Sequence, residues 1–325
     1  MLRLTVPDFH RFADAPSLGL GFGGAEANAA VQLAQLGCST AFVSRLPEND
    51  LADRCIGALR SRGVDTSLVA RGGERVGVYY VEPGASGRPT KVTYDREHAA
   101  IRDARPGMFD WASIFKGAKW FHFSGITPAL GDGCAAACAE ACEAARAAGM
   151  TISFDVNFRS RLWSQARAAE VLRPLMRYVD ICVSGEDEAV HILGAEPMEE
   201  EETARLPAIA DSLAKLHGFK TVAMTCRSSA SASDTTFRGM LYTGGGGPHF
   251  SRQHEIVIVD RIGTGDAFTG GLIFALLRGD APDEAIEFAT AAGAWKHTIP
   301  GDWNRVTIAE LEALACGIGG GRVQR

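Results

Sequence analysis

The sequence predicts an α/β fold in which helices cover both faces of a mostly parallel sheet. Three observations support this prediction. Across residues 118–298, short runs rich in β-branched and aromatic residues alternate with helical stretches, as is typical of βαβ units. The composition is that of a globular protein, because 46% of the 325 residues are hydrophobic and 22% are charged. Residues 2–22 and 74–97 contain short alternating strands instead, which predict a second, smaller sheet.

The individual elements follow from hydrophobic periodicity and from the turn residues between them. The predicted strands are residues 118–124, 150–156, 179–184, 221–226 and 256–259, with a hairpin that joins 76–82 to 90–95. The predicted helices are residues 25–36, 131–148, 164–177, 186–193 and 286–298. We expect residues 23–73 and 98–325 to form the main α/β domain. Residues 2–22 and 74–97 are expected to form a β-sheet lid over the crevice at the strand ends.

Composition and charge narrow the function classes. Lys and Arg number 33 against 39 Asp and Glu, and the net charge of −6 argues against a nucleic-acid partner. No run is apolar for long enough to cross a bilayer, and the segment after Met1 does not resemble a signal peptide, so we expect a cytoplasmic location without membrane contact. The eight cysteines form no Cys-x-x-Cys pair. Cys134, Cys138 and Cys142 share one face of a predicted helix, where packing is the simpler interpretation and a metal or redox role is the alternative.

The first glycine-rich segment, Gly19–Gly24, matches the pattern G-x-G-x-x-G and precedes a predicted helix. A dinucleotide site is one interpretation, although no buried apolar strand precedes the motif. Gly23 and Gly24 allow a ligand to approach the backbone closely. Asn28, one helical turn further on, offers a donor and an acceptor suited to a sugar hydroxyl. A tight turn with Asn28 facing solvent is the alternative.

The second glycine-rich segment, Gly263–Asp266, follows an apolar strand and opens a helix. Its backbone amides are expected at the helix N-terminus, where anions are stabilised. A carboxylate at Asp266 would accept the proton of an attacking hydroxyl while these amides hold the transferred phosphate. A simple helix cap is the alternative, but it does not explain the glycines at 270 and 271, which cost about 1 kcal/mol each inside a helix. The sequence contains no P-loop, so the 263–266 turn is the expected phosphate site.

Together, Gly23-Gly24…Asn28 and the segment Asp260–Asp266 resemble the ribokinase (PfkB) family of carbohydrate kinases. Residues 121–128, 154–163 and 296–304 also carry the resemblance, so it covers nearly the whole chain. It implies a ribokinase-like three-layer α/β/α domain with a β-sheet lid. It also implies an ATP- and Mg²⁺-dependent kinase, most similar to those that convert 2-keto-3-deoxygluconate to 2-keto-3-deoxy-6-phosphogluconate.

The resemblance implies a role for each matching residue. Asp266 would be the catalytic base. The implied anion hole consists of Gly263, Thr264 and Gly265. The implied substrate contacts are Gly24, Asn28, Tyr79, Tyr94, Arg96, Arg159 and Asp302. The implied ATP contacts are Asn157, Arg159, Thr225, Arg227, Gly263 and Gly265, and the implied metal-associated residue is Glu188.

Two arginines favour an acidic sugar independently of the resemblance. A 2-keto-3-deoxy sugar acid carries a carboxylate, which a guanidinium binds through two parallel hydrogen bonds. Arg96 follows the predicted hairpin, and Arg159 follows strand 150–156 at the end where ligands bind in such sheets. A kinase of a neutral sugar such as fructose or ribose is the alternative, followed by a non-catalytic sugar-binding protein and a dehydrogenase. Exposed strand edges on the lid also predict a homo-oligomer.

Three features depart from the family pattern. The family opens with a hydrophobic strand that ends in Gly-Glu, whereas this sequence begins with Met1-Leu-Arg-Leu. We therefore expect an unpaired sheet edge in this chain and greater stability in a chain extended ahead of Met1. The Asn of the family's Asn-x-x-Glu is replaced by Gly185, which leaves Glu188 alone near the metal. The nucleotide loop has Arg227-Ser-Ser-Ala where the family usually has a glycine.

Overall fold

Strands and helices alternate along most of the chain in the computed structural model, which describes residues 1–318. The strands are β1 (Leu2–Thr5), β2 (Gly19–Phe22), β3 (Thr40–Ala41), β4 (Ser44–Leu46), β5 (Val64–Asp65), β6 (Val69–Arg71), β7 (Val78–Glu82), β8 (Lys91–Asp95), β9 (Trp120–Ser124), β10 (Thr151–Asp155), β11 (Ile181–Ser184), β12 (Thr221–Ser229), β13 (Asp234–Thr243), β14 (Gly247–Phe250) and β15 (His254–Val257). The α-helices are α1 (Ala25–Gln35), α2 (Asp50–Arg60), α3 (Trp111–Ile114), α4 (Asp132–Ala147), α5 (Gln165–Leu172), α6 (Glu186–Glu188), α7 (Glu202–His217), α8 (Thr264–Arg278), α9 (Pro282–Lys296) and α10 (Ile308–Ala315). No helix among these residues has the length and apolar character needed to span a membrane.

The main sheet has seven strands. Strands β9 to β12 are parallel and lie in chain order, as the predicted βαβ units require. The chain then reverses, and β13 pairs antiparallel with β12, β14 and β15. The order is β14-β13-β12-β11-β10-β9, with β15 beside the first half of β13. The predicted mostly parallel sheet is confirmed, with an antiparallel extension on one side.

Helices pack on both faces of this sheet, because side chains along a strand alternate between the faces. On β11, Cys182 lies in one core, while Ile181 and Val183 lie in the other. The first core joins the strands to α3, α4, α5 and α7, and the second joins them to α8, α9 and α10. The predicted three-layer α/β/α arrangement is therefore confirmed.

The two glycines inside α8 allow close helix packing. A Cβ at Gly270 would lie 2.7 Å from Cγ of Gln32 on α1. A Cβ at Gly271 would lie 2.9 Å from Cβ of Ala292 on α9. Contact between helices therefore accounts for both glycines, and it places the N-terminus of α8 beside that of α1.

Several element bounds differ from the sequence prediction. The predicted helix 164–177 is wrong beyond Leu172, because Pro174 lacks an amide donor, and Arg173–Tyr178 forms a 3₁₀ helix instead. The predicted strand 256–259 is His254–Val257, since pairing with β13 ends there. Strand β12 continues to Ser229 rather than ending at residue 226, because its antiparallel partner β13 extends the pairing.

The smaller predicted sheet, for which we keep the name lid, has four strands in the order β2-β1-β7-β8. Strand β1 runs parallel to β7, and both outer pairs are antiparallel. Gly19–Phe22 is thus a paired edge strand, which excludes a dinucleotide-binding turn at this motif. At the tip of the β7–β8 hairpin, the Ser86 carbonyl accepts from the Ala232 amide at 2.8 Å, and the Ser86 amide donates to Oγ of Ser233 at 2.9 Å. The tip therefore contacts the turn between β12 and β13.

The three cysteines of α4 are buried in the core. Burial raises the pKa of Cys142 to about 12 and holds that of Cys138 well above its ordinary value. Because the thiolate is the form that binds metals and reacts, these protonated thiols support packing rather than metal or redox chemistry.

Strand β9 is the outer strand of the main sheet, and in residues 1–318 it pairs with β10 alone. A cavity of about 910 Å³ adjoins it and is also lined by Met1 and by residues 38–46, which contain β3 and β4. These two strands pair only with β5 and β6 among the described residues. Strand edges therefore border the cavity on two sides. Whether a preceding strand belongs beside β9 stays a prediction.

Candidate active site

The turn before α8 presents backbone amides at a helix N-terminus. Gly263 is the N-cap, and its φ of +84° lies in the left-handed region that favours glycine. A Cβ at this position would lie 2.1 Å from the carbonyl oxygen of Asp302. The amides of Thr264, Gly265 and Asp266 open the helix, where no intrahelical acceptor is available to them. This arrangement suits an anion.

The carboxylate of Asp266 lies in the first turn of α8 and does not cap the helix. Asn28 donates from Nδ2 to Oδ2 of Asp266 at 2.7 Å, and Asn157 donates to Oδ1 at 3.4 Å. Burial raises the pKa of Asp266 to about 6, and the hydrogen bond from Asn28 opposes this effect. The side chain remains partly accessible, so a carboxylate with a pKa near neutrality is available as a proton acceptor.

Gly23 and Gly24 bring the start of α1 against the lid and Asp302. Gly24 is the N-cap of α1 with a φ of +149°. A Cβ at Gly23 would lie 2.0 Å from Oδ2 of Asp302 and 2.5 Å from the hydroxyl of Tyr79. Tyr79 donates to Oδ1 of Asp302 at 2.5 Å, and Asn28 donates to Oδ2 at 3.3 Å. Both oxygens of this buried carboxylate thus have partners, and the Asp302–Tyr79 pair holds Asn28 against the lid.

Arg3 of β1 joins the lid to the two loops of the site. Its Nη1 lies 2.8 Å from Oδ1 of Asp302, and its Nη2 lies 2.5 Å from Oδ2 of Asp260. Asp260 also accepts from the amides of Ile262 and Gly301 at 3.0 and 2.9 Å. Burial acts to lower the pKa of Arg3, but the two carboxylates raise it above its ordinary value. These charged contacts fix the turn 260–263 against the loop 300–302.

Arg96 presents an enclosed cation beside the lid. It is 9% exposed, and its Nε and Nη1 atoms have no hydrogen-bond partner among residues 1–318. Its guanidinium carbon lies 3.9 Å from the ring centroid of Tyr94, whose ring is 6.0 Å from that of Tyr79. Burial lowers the pKa of Arg96, which reflects the cost of enclosing a charge without an anion. A carboxylate bound at this guanidinium would supply an acceptor that residues 1–318 do not provide.

Polar side chains also lie where the chain leaves β10, at the carboxyl end of the sheet. Asn157 has a φ of +43°, and its amide and Nδ2 each donate to Asp155 at 3.1 Å. Burial, followed by the carboxylates of Glu188 and Asp266, raises the pKa of Asp155 to about 8. Arg159 is exposed, and its charge acts to lower the pKa of both aspartates.

Glu188, at the end of α6, uses both of its carboxylate oxygens as acceptors. Oε1 accepts from the amide of Phe158 at 2.7 Å, and Oε2 accepts from the amide of Gly185 at 2.9 Å. No group of three or more His, Cys, Asp or Glu side chains in residues 1–318 is arranged to hold a metal ion. The metal-associated role of Glu188 stays a prediction.

The end of β12 approaches the same helix N-terminus. The guanidinium carbon of Arg227 lies 5.0 Å from the ring centroid of Phe237. A Cβ at Gly265 would lie 3.8 Å from Nη2 of Arg227, so this cation reaches the amides that open α8. Thr225, two positions earlier, is half-buried on the same strand. The structure thus brings Arg227 to the start of α8, and the ATP contact of Thr225 stays a prediction.

Sequence reasoning missed three side chains of the site. Asp155 is a charged residue at the carboxyl end of the apolar strand β10, and a charged residue at that position indicates a site residue. Glu26 accepts from the hydroxyls of Ser124 and Thr127 at 2.7 and 2.9 Å and so joins α1 to the end of β9. Arg3 gives no local signal, because its partners lie 257 and 299 positions away.

Known proteins resemble this chain in both sequence and structure. The family model described as pfkB family carbohydrate kinase matches residues 7–306. The chain is 36% identical over 317 residues to 2-dehydro-3-deoxygalactonokinase of Haloferax volcanii, with 98% of this chain and 94% of the relative covered. It is 28% identical to fructokinase-1 of Oryza sativa subsp. japonica, with 87% and 84% covered. The crystal structure of 2-dehydro-3-deoxygluconokinase from Thermotoga maritima has a TM-score of 0.95 and 45% identity, with 98% of this chain and 96% of that chain covered.

The matched range includes α1, the carboxyl ends of the parallel strands and the turn before α8. Structural agreement with the Thermotoga maritima enzyme extends over lid and main domain alike, since nearly the whole of both chains is covered. On all of these grounds, the chain belongs to the PfkB family of carbohydrate kinases.

Proposed function

We propose that this kinase transfers the γ-phosphoryl group of ATP to the 6-hydroxyl of 2-keto-3-deoxygluconate, giving 2-keto-3-deoxy-6-phosphogluconate. Two of the relatives described above are named for 2-dehydro-3-deoxy sugar acids, which supports this substrate class. The observation that carries the proposal is the buried guanidinium of Arg96, whose Nε and Nη1 have no partner in residues 1–318. A sugar acid supplies a carboxylate for these atoms, whereas a neutral sugar leaves the charge buried and unpaired.

Asp266 accepts the proton of the attacking hydroxyl in this proposal. Its pKa of about 6 leaves the carboxylate mostly ionised at neutral pH and still basic enough to take a proton as the new O–P bond forms. The 2.7 Å hydrogen bond from Asn28 orients the group through Oδ2. Oδ1, which has only a 3.4 Å contact with Asn157, is then the atom that receives the proton.

The amides that open α8 bind the oxygens of the transferred phosphoryl group. They are fixed before the substrate arrives, because the turn 260–263 is held by Asp260 and by contact of Gly263 with Asp302. Preorganised donors need no rearrangement as charge develops, and this is the main way in which phosphoryl transfer is catalysed. Arg227 adds a positive charge beside the same amides.

Kinases of this family use ATP with Mg²⁺, and the residues beyond β10 fit such a cation. Burial, and after it the carboxylates of Glu188 and Asp266, raise the pKa of Asp155 to about 8, and a bound cation would favour the ionised form of this carboxyl. Mg²⁺ commonly binds one or two carboxylates together with phosphate oxygens and water, which agrees with the lack of a three-ligand cluster in residues 1–318. Asp155, and Glu188 through water, would hold the ion, which when bound neutralises charge on the ATP phosphates.

The other predicted contacts divide between the two substrates. Asn28 and the backbone at Gly24 contact sugar hydroxyls, and Tyr94 with Arg96 covers the carboxylate from the lid. Tyr79 and Asp302, which bind each other, act by holding Asn28 in place. We assign Arg159 to the position between the sugar and the ATP phosphates. Asn157, Thr225 and Arg227 are assigned to contacts with ATP.

A phosphorylation screen with ATP and Mg²⁺ over sugar acids and neutral sugars tests this proposal. We expect 2-keto-3-deoxygluconate to be turned over with a higher kcat/KM than fructose or ribose. Arg96→Ala should raise KM for the acid about 10- to 100-fold, because it removes charged hydrogen bonds, and should spare neutral sugars. The control is Arg161→Ala, which removes an exposed arginine. A higher kcat/KM for fructose or ribose would assign a neutral substrate, and sugar binding without turnover would show a non-catalytic protein.

We also infer that copies of the chain associate through the lid and act in the cytoplasm. Leu18 and Leu20 are 39% and 38% exposed at the β2 edge, where a strand of a second copy can pair. Sedimentation velocity of Leu20→Asp against the unmodified chain tests the association, and an unchanged assembly would contradict it.

All eight cysteines lack a disulfide partner, as expected in a reducing compartment such as the cytoplasm.

A further inference from the structure

A second cavity, which we call the α2 cavity, lies where strand β2 of the lid meets helix α2 and residues 300–305. Its volume is about 610 Å³, which is within the range of sites for small molecules. Of the residues that line it, only Asp302 is among those assigned to the sugar or to ATP. The α2 cavity is therefore a separate place at which a ligand can contact both the lid and the main domain.

Three arginines line the α2 cavity. Arg54 belongs to α2, Arg62 follows that helix, and Arg305 comes from the segment after α9. None of the three has an ion-pair partner in residues 1–318. Burial lowers the pKa of Arg62, and the charge of Arg305 adds to this effect. These two guanidiniums therefore lie close enough to repel each other.

The acidic residue that lines the α2 cavity, Asp302, does not neutralise these arginines. Its Oδ1 accepts from Arg3 at 2.8 Å and from Tyr79 at 2.5 Å, and its Oδ2 accepts from Asn28 at 3.3 Å. Its charge is thus paired with the buried guanidinium of Arg3. The cavity keeps a net positive charge, which attracts anions from solution.

Apolar side chains border the same space. The guanidinium carbon of Arg62 lies 5.8 Å from the ring centroid of Trp303, and Leu20 is exposed at the edge of β2. The indole Nε1 of Trp303 is buried without a hydrogen-bond acceptor among residues 1–318. Trp303 also lines the cavity beside β9, so this donor supports the site less directly than the arginines do. Cations beside apolar groups suit an organic anion, because its carbon atoms can contact the apolar groups.

We propose that the α2 cavity binds a small organic anion that carries both a phosphate ester and a carboxylate, such as a phosphorylated sugar acid. A phosphate ester contributes about two negative charges and a carboxylate contributes one, which together balance the three guanidiniums. Planar guanidinium groups bind both anionic groups through paired hydrogen bonds. The inference concerns a second site and holds whichever sugar is phosphorylated in the crevice.

A ligand in this cavity would lie next to contacts that hold the sugar site. Gly21 of β2 pairs with Arg3 of β1, and the side chain of Arg3 binds Asp302. A molecule that contacts both β2 and residues 300–305 therefore ties the lid to the main domain at its base. Binding to the folded chain should also raise its melting temperature.

The first test is isothermal titration calorimetry with 6-phosphogluconate. The crevice is first filled with a non-hydrolysable ATP analogue, Mg²⁺ and the best sugar of the screen, so that heat reports a different site. We expect the double variant Arg62→Gln, Arg305→Gln to bind at least about 10-fold more weakly, because charged hydrogen bonds are lost. The control is Arg102→Gln, Arg177→Gln, which removes two exposed arginines outside the cavity and should keep the affinity. No binding by the unmodified enzyme, or equal affinity in both variants, would overturn the proposal.

Activity measurements separate this site from the crevice. In the absence of the anion, the double variant Arg62→Gln, Arg305→Gln should keep the kcat and the sugar KM of the unmodified enzyme, since neither arginine is assigned to the reaction. A lower kcat in a variant that circular dichroism shows to be folded would contradict a separate site. Failure of the proposed substrate would leave both measurements unchanged, because they use whichever sugar is turned over best.

The chemical class of the ligand is tested by dissecting it. Gluconate lacks the phosphate ester and inorganic phosphate lacks the carboxylate, so each should bind at least about 10-fold more weakly than 6-phosphogluconate. Inorganic phosphate that binds as tightly would overturn the assignment to an organic anion. The product of the reaction is titrated beside 6-phosphogluconate, and the tighter of the two shows whether the enzyme's own product or another phosphorylated acid fits better.

The assembled enzyme provides the last test. The β2 edge is also the surface through which we expect copies of the chain to associate. If the unmodified enzyme binds no anion while Leu20→Asp binds it, a second copy covers the cavity and the proposal is wrong for the assembled enzyme. Equal affinity in the two proteins would agree with a cavity that stays open in the assembly.

Discussion

Nδ2 of Asn28 lies 2.7 Å from Oδ2 of Asp266, although 238 positions separate the two residues in the sequence. Asn28 comes from the start of α1 and Asp266 from the start of α8, so the beginnings of two helices meet at one carboxylate. The glycines of α8 allow this close approach. The hydrogen bond orients one oxygen of Asp266, leaves the other for chemistry and opposes the effect of burial on its pKa.

Replacing Asp266 with asparagine tests the proton acceptor directly. The variant keeps the size of the side chain, and we expect kcat to fall by about 10²- to 10⁴-fold because general-base catalysis is lost. Sugar binding, measured by isothermal titration calorimetry, should remain close to that of the unmodified enzyme. Asp283→Asn, at an exposed carboxylate on α9, is the control and should retain full activity. An active Asp266→Asn enzyme would exclude the assigned base.

The pH dependence of kcat/KM reports the state of the same group. The base must be ionised, and its pKa is about 6, so activity should decline as the pH falls through this value. Asn28→Ala removes a hydrogen bond that lowers this pKa, and the acid limb should therefore move to higher pH. The quantity to compare is the pH at which kcat/KM declines on the acid side. The absolute rate is not informative, because Asn28 also contacts the sugar and its loss lowers the rate at every pH. If the decline occurs at the same or at a lower pH in the variant, the hydrogen bond from Asn28 does not lower the pKa of the catalytic base.

Two glycines that flank α8 offer a matched pair of variants. Gly263 and Gly279 have φ values of +84° and +86°, so alanine costs about 1–2 kcal/mol of strain at either site. At Gly279 nothing lies within 4 Å of the added Cβ, whereas at Gly263 the Asp302 carbonyl oxygen lies at 2.1 Å. We expect Gly263→Ala to lose more stability in urea and most of its kcat, while Gly279→Ala keeps its kcat. Equal effects of the two substitutions would argue against the close contact.

The edge of β9 predicts that an added strand stabilises the fold. Met1 lines the cavity beside β9, so a short apolar segment fused ahead of Met1 should pair with this strand. We expect the melting temperature to rise by about 3 °C or more, since each 1 kcal/mol of added stability corresponds to roughly 2–4 °C. The Met1 amide in such a chain can still donate to the Gly23 carbonyl. A flexible Gly-Ser segment of equal length is the control. The same melting temperature for both fusions would refute the prediction.

Features built from neighbouring residues could be predicted from the sequence. The turn at 263–266 needs only adjacent glycines and a following helix, so its amides and Asp266 were identified together. Tyr94 lies in the second strand of a hairpin, and Arg96 directly follows that strand. The alternation of the hairpin residues is apparent in the sequence. The parallel strands and their helices were predictable for the same reason, because periodicity is a local property.

Features that depend on distant partners could not be predicted in this way. Lys296 lies in an alanine-rich helix, where a lysine normally marks the exposed face, and its burial follows from contacts with Asp260 and Ile299. Arg3 is buried because carboxylates from two distant loops meet it. The extension of β12 to Ser229 likewise requires its antiparallel partner, whose register emerges only in the folded chain.

The contacts of the lid with the main domain differ in strength between its base and its tip. At its base, the buried guanidinium of Arg3 binds Asp260 and Asp302, and breaking such ion pairs costs about 3–5 kcal/mol. At its tip, Ser86 makes two hydrogen bonds to the turn between β12 and β13, each worth about 1 kcal/mol. We therefore expect the lid to separate from the main domain at its tip before its base, which would open the crevice on the side of Ser86.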